Sequence, residues 1–144
     1  MPSVSCPFCD PPKEEILFRS PLWYARSDLH PVTPGHLLLI PFRHLPTYFD
    51  LTQEEWSVLG PFTMQAKEYL DRTVTPDGYN IGVNVGRPAG QAIMHLHIHM
   101  IPRHWDDSGV RKGGVRRSVP GKEEAGLPVC AVPGFQGTSP SATR

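Results

Sequence analysis

An α+β fold, an antiparallel sheet with one helix packed on a face, is predicted from three features of the sequence. Apolar or alternating runs recur at residues 21–29, 36–42, 79–86 and 93–103, and proline or glycine turns bound them. One longer stretch, residues 52–72, carries a helical period instead. The resulting order is β–β–α–β–β, and short turns between neighbouring strands suit antiparallel pairing.

Each element has its own warrant. PLWYARSDL alternates well enough for a strand, and HPVTPG after it reads as a proline-shaped turn. HLLLIPF is a short apolar run, consistent with a buried strand that Pro41 stops. Thr52 and Glu55, in TQEE, have the spacing of a capping box. They open a segment with Trp56, Leu59, Phe62, Met64, Ala66 and Leu70 roughly on a helical period. Gly60-Pro61 inside it is expected to kink the helix or split it in two. PDG then makes a turn, YNIGVNVG a strand, RPAGQ a tight loop, and IMHLHIHMIPR the last strand.

At 144 residues the chain is long enough to bury one core. Its 14 basic and 14 acidic residues cancel, so no global field points to nucleic acid or a membrane surface. The first residues, MPSVSCPFCDPPKEE, lack the basic and apolar regions of a signal peptide, and no apolar run approaches the length of a spanning helix. Three cysteines make no disulfide framework, and a reducing, cytoplasmic setting is expected. From Ser108 onward Gly, Pro, Ser and Thr dominate. One domain is therefore expected over residues 1–124, with a flexible tail over 125–144 that holds Cys130.

The chemistry concentrates in HLHIHMIP. His95, His97 and His99 alternate with Leu96, Ile98 and Met100, so on a strand three imidazoles line one face while the apolar residues bury the other. β-Propensity gives no reason to choose histidine three times. Two chemistries suit the pattern. An H-x-H pair can ligate a zinc ion that activates water. Alternatively, one imidazole attacks phosphorus while another manages the proton, since imidazole populates both protonation states near neutral pH.

The triad and its flanks resemble the histidine triad (HIT) family of nucleotide hydrolases and transferases. HLHIHMI matches the signature itself, and DLHPVTPGHLLLIPFRH, GVNVGRPAGQ and GGVRRSVPGK resemble blocks around it. The resemblance runs from Cys6 to Lys122. It implies that His97 is the nucleophile at the α-phosphorus, that His99 contacts the phosphate and leaving group, and that His36 completes the cluster. It further implies that Asp28 binds the ribose hydroxyls, and that Asn84, Gly90 and Gln91 bind the nucleotide, with Asn84 and Gly90 on the phosphate side. Where many members carry Ser or Thr, this chain has Ala92, which removes one donor near the phosphate. The implied substrates are adenine-nucleotide conjugates, either phosphoramidates and aminoacyl adenylates as in the Hint branch or diadenosine polyphosphates as in the Fhit branch. A homodimer is implied as well.

Cys6 and Cys9, in CPFC, have the spacing of two thiolates sharing a zinc ion, and equally of a redox pair. His44 and His95 match the other two ligands in the zinc-bearing members, which implies a structural Cys2His2 zinc separate from catalysis. GVNVGRPAG is not a dinucleotide fingerprint, and GVRRSVPGKE is not a Walker loop. Arg111, Lys112, Arg116, Arg117 and Lys122 form a basic segment that suits a solvated surface, a polyphosphate or a partner. Phe42, Trp56, Phe62 and Trp105 are expected in core or interface packing. A second function class stays open: a nucleotide-binding module with vestigial chemistry that acts through its basic segment.

Overall fold

In the computed structural model, which describes residues 5–107 and 114–118, five strands form one antiparallel sheet. They are β1 (Phe18–Arg19), β2 (Trp23–Ser27), β3 (Leu37–Pro41), β4 (Gly78–Gly82) and β5 (Ile98–Arg103), in the order β1-β2-β3-β5-β4. A single helix, α1 (Gln53–Thr73), lies between β3 and β4 in sequence. The α+β class and the strand order around one helix agree with the sequence reading, and the short edge strand β1 is an addition to it. The described residues fall into two compact units, within 1–110 and 111–144, and the second contributes only a 3-10 helix at Gly114–Ser118. The expected division after residue 124, the basic side chains after the triad and Cys130 lie outside what the structure describes.

Helix α1 starts where its capping box stands. Thr52 Oγ1 accepts the Glu55 N–H at 3.2 Å, and Glu55 Oε2 accepts the Thr52 N–H at 2.8 Å. The buried Glu55 carboxylate also accepts Arg43 Nε and Nη2, each at 2.8 Å, and those bonds hold its pKa down to about 2. Leu59, Phe62, Ala66 and Leu70 form the buried face of α1. The expected split at Gly60-Pro61 does not occur, and one helix runs through Pro61. Gly60, Pro61 and Ser57 all sit on its exposed side. Solvent can therefore reach the Ser57 carbonyl that Pro61 leaves without a donor.

That helical face packs on Trp23, Ala25, Leu37, Leu39, Leu96, Ile98 and Met100. Burial of each large side chain contributes about 1.5–3 kcal/mol. Trp23 Nε1–H donates to the Glu55 carbonyl at 3.2 Å and ties β2 to the start of the helix. The opposite face of the sheet carries Tyr24, Leu38 and Ile40, on which Phe8 of the N-terminal arm lies. Tyr24 donates its hydroxyl proton to the Phe8 carbonyl at 2.8 Å. Of the four aromatic residues expected to pack, Phe62 is fully buried and Phe42 half-buried, whereas Trp56 and Trp105 are exposed.

The last strand is shorter than its alternation predicts. It begins at Ile98, so of the three histidines only His99 sits in β5. β3 ends at Pro41, and the chain before Ile98 bonds instead to the turn that follows β3. The Leu96 N–H donates to the Leu45 carbonyl at 2.7 Å, and the His95 ring donates to the Pro41 carbonyl at 2.8 Å. Leu96, Ile98 and Met100 nevertheless keep their alternate burial against α1. The expectation that three imidazoles share one strand face is thus corrected: His97 and His99 stay together, and His95 turns away.

Candidate active site

The HPVTPG turn places two of the functional side chains opposite each other. Gly35 has φ +90, and a Cβ there would come within 2.7 Å of Val74 Cγ2, so the turn requires glycine. Thr33 donates to the Pro102 carbonyl at 2.7 Å and anchors the turn on β5. The Asp28 N–H donates to the His36 carbonyl at 2.9 Å and closes the β2–β3 hairpin. Asp28 Oδ2 lies 3.4 Å from His36 Nε2 and 3.7 Å from His99 Nδ1, while Oδ1 accepts the His30 N–H at 2.9 Å.

The partners assign the proton positions on the rings. The Val32 N–H donates to His36 Nδ1 at 3.1 Å, so His36 carries its proton on Nε2. His36 Nε2 then donates to His99 Nδ1 at 3.0 Å, which leaves the His99 proton on Nε2 as an outward donor. His97 Nδ1 lies 2.8 Å from the His95 carbonyl oxygen. A carbonyl only accepts, so His97 holds its proton on Nδ1 and keeps a lone pair on Nε2. Burial lowers the pKa of His36, against the opposing Asp28 charge. Burial lowers that of His99 too, helped by His97 and His36 and opposed by Asp28. Both rings are therefore neutral at pH 7, as the relay requires.

Around these rings lies a cleft of about 340 Å³ on the sheet face opposite α1. His97 and His99 line it, with Leu38, Phe8, Arg26 and Asp28 toward β2 and Asn84, Gly90 and Ala92 on the loop after β4. That loop turns at Gly86 and Gly90, which have φ +83 and +91 around the 3-10 turn Arg87–Ala89. Gln91, expected to face nucleotide, is instead buried with its amide committed to backbone. Its Oε1 accepts the Gly86 N–H at 2.8 Å, and its Nε2 donates to the Pro46 and Ile93 carbonyls at 2.7 and 3.1 Å. It braces the loop that carries Asn84 and Gly90. Phe8 and Arg26 are among the cleft residues that escaped the sequence reading. Phe8 stands between Cys6 and Cys9, and Arg26 on β2 stands two residues before Asp28, a period-2 spacing.

A second cluster lies beside the first. Cys6 Sγ is 3.4 Å from His95 Nδ1, and Cys9 Sγ is 3.2 Å from His44 Nδ1 and 3.6 Å from His95 Nδ1. All four ligand atoms lie within 4.8 Å of one another. Tetrahedral zinc with about 2.3 Å bonds to sulfur and 2.0–2.1 Å bonds to nitrogen needs separations of this size. The His95 Nε2–H donates to the Pro41 carbonyl, which leaves Nδ1 free to ligate and orients the ring. Among the described residues, the only other such group is Asp28, His36 and His99. His97 belongs to neither group.

Residues 12–106 match the HIT domain. The chain belongs to the HIT family. It is 37% identical over 94 residues to the AP-4-A phosphorylase of Mycobacterium tuberculosis, covering 65% of this chain and 48% of that protein. It is also 37% identical over 91 residues to the bis(5'-adenosyl)-triphosphatase of Dictyostelium discoideum, covering 63% of this chain and 61% of that one. The chain spans about half the length of several curated HIT relatives it matches. Among solved HIT structures, a Zn-bound histidine triad family protein from Mycobacterium smegmatis superposes with a TM-score of 0.64 at 28% identity, over 72% of this chain and 78% of that one. The NitFhit protein of Caenorhabditis elegans also superposes with a TM-score of 0.64, at 33% identity over 67% of this chain and 23% of that one. The HIT match begins after Cys6 and Cys9, so these two thiols lie outside it.

Proposed function

We propose that this HIT protein is a nucleotide hydrolase or transferase that cleaves the α-phosphate bond of adenine-nucleotide conjugates through a covalent nucleotidyl-histidine on His97. The observation that carries the reading is the free lone pair on His97 Nε2, which its Nδ1 bond to the His95 carbonyl leaves beside the cleft. In the first step Nε2 forms a bond to the α-phosphorus and the bond from phosphorus to the leaving group breaks. The charged imidazole that results is stabilised by the acceptor on its Nδ1. The outward His99 Nε2–H, supplied through His36, donates to the phosphate or the departing atom. In the second step water attacks phosphorus, the N–P bond breaks, and the mononucleotide leaves. Asp28 faces the same cleft with a carboxylate that can accept both ribose hydroxyls. The relatives named for diadenosine polyphosphates make that class the first substrate to test.

Cys6, Cys9, His44 and His95 fit a structural zinc in donor type, proton positions and spacing. A bound ion would supply no step of the reaction; it would tie the N-terminal arm to the segment after β3 and the segment before β5. Family resemblance adds a homodimer, which sedimentation of the purified chain tests.

The deciding experiment mixes the protein with a diadenosine polyphosphate or adenosine phosphoramidate in the presence of chelator, quenches in alkali and weighs the intact chain. An adenylyl adduct on the parent, absent from His97→Ala, establishes covalent histidine chemistry. No adduct and no product, with saturable AMP binding, establishes the binding module instead, a reading that Ala92 favours by placing a methyl group where a donor is expected.

A further inference from the structure

We infer that Arg26 reads the base of the bound nucleotide and favours a 6-oxopurine, guanine or hypoxanthine, over adenine; this rests on the reading of the cleft as a nucleotide site and revises the base assigned to it above. Arg26 pairs with Leu38 across β2 and β3, and Leu38 pairs with His99 across β3 and β5. Directly opposed residues in antiparallel strands share a face, so the three side chains form one row across the sheet. Arg26 and His99 are then two strand spacings apart, about 9.5 Å. That is the reach from an α-phosphorus held at the histidines to its own base. Leu38 floors the space between, and Asp28 stands one pleat along from Arg26 for the sugar. The phosphate and leaving-group side is occupied by Asn84, Gly90 and Ala92 at the other end of the row.

A guanidinium at the base end is unusual chemistry for a site with Phe8 and Leu38 as neighbours. Arg26 is 4% exposed, and its Nη1 lies 2.7 Å from Glu15 Oε2. Glu15 does not line the cleft, whereas Arg26 does. A guanidinium carries five donors, more than one carboxylate can take. Among the described residues it makes no other polar contact, yet no buried side-chain nitrogen is left without a partner or exposure. Arg26 borders the cleft, so the donors that Glu15 does not take are available to a ligand there. Glu15 cancels the charge, so the feature suits a neutral acceptor better than a further phosphate. A 6-oxopurine offers two adjacent acceptors, O6 and N7, to a guanidinium fork. Adenine replaces O6 with an amino donor, which would face the guanidinium donors directly. The Arg26 Cζ also lies 5.8 Å from the Phe8 ring centroid, so the cation and a stacking surface border the same space.

The test measures binding of GMP, IMP and AMP to the full chain by calorimetry, with turnover of the matching guanosine and adenosine phosphoramidates. GMP and IMP are expected to bind roughly tenfold or more tightly than AMP. Arg26→Met and Arg26→Lys are both expected to collapse that ratio, the lysine variant because it keeps the charge and loses the fork. The ligand series on the parent carries the test even where a variant fails to fold. Equal or tighter AMP binding overturns the role of Arg26 and leaves the nucleotide site intact. If Arg26→Met instead changes the response to added phosphates and not to the base, the residue is a phosphate ligand and the inference fails. Absence of binding and turnover with every nucleotide overturns the cleft reading and this inference together.

Discussion

His97 donates its Nδ1 proton to the carbonyl oxygen of His95, 2.8 Å away. The two residues therefore divide the work of one short segment. The His95 ring faces Cys6, Cys9 and His44, while its backbone sets which nitrogen of His97 is free.

Metal removal is expected to separate stability from chemistry. Purified protein should carry one zinc per chain by elemental analysis, and Cys9→Ser should lose it. Chelation should lower the melting temperature by about 5 °C or more. Turnover measured on protein kept folded at low temperature should persist, because none of the four ligands belongs to the Asp28, His36 and His99 group. Complete loss of turnover on chelation, restored by zinc, would return the metal to the reaction.

His36→Ala should slow the chemical step. The substitution removes the donor that keeps the His99 proton on Nε2. A fall in kcat of about 10²-fold with a smaller change in KM is expected. Steady-state kinetics checks it, and an unchanged kcat would show that the His36–His99 bond serves packing alone.

The pH dependence follows from the same pair. Burial sets the pKa of both His36 and His99 below the ordinary imidazole value of 6.5. In the unfolded chain these rings bind protons near 6.5, and in the folded protein only at lower pH. Their neutral-state contribution to stability is therefore fully present above pH 6.5 and is lost as pH falls through the lowered values. Activity should be level through neutral pH and decline on the acid side. Melting curves and kcat/KM from pH 8 to 5 measure both, and a melting temperature that rises toward pH 5 would contradict the assignment.

Two glycines should respond in opposite directions. Gly60 is exposed inside α1 with nothing near an added Cβ, so Gly60→Ala should stabilise by about 0.5–1 kcal/mol. Gly35→Ala meets both a positive φ and Val74, and should destabilise by about 1–3 kcal/mol. It should also lower activity, since the turn sets Asp28 against His36. Urea melts of the two variants decide.

The local rules were readable from the chain. The capping box of Thr52 and Glu55 forms as its spacing predicts, and Leu96, Ile98 and Met100 bury on alternate positions. The split expected at Pro61 failed because a proline rule counts a lost hydrogen bond without knowing whether water can replace it. On the exposed side of α1 water can. Gln91 shows the converse: an amide that matches a motif can serve backbone as well as ligand, and only the positions of Gly86, Pro46 and Ile93 show its bonds to backbone.

The sequence by itself determined the α+β class, the helix and its start, and the set of side chains from which the two clusters are made, because periodicity, capping and residue type act over a few neighbours. Tertiary structure alone decided that His95 leaves the row of imidazoles, that His97 keeps its lone pair on Nε2, and that Arg26 stands across the sheet from His99. Those facts depend on which carbonyl, thiol or strand lies opposite. Such contacts join residues as far apart as Cys6 and His95, and no local pattern encodes them.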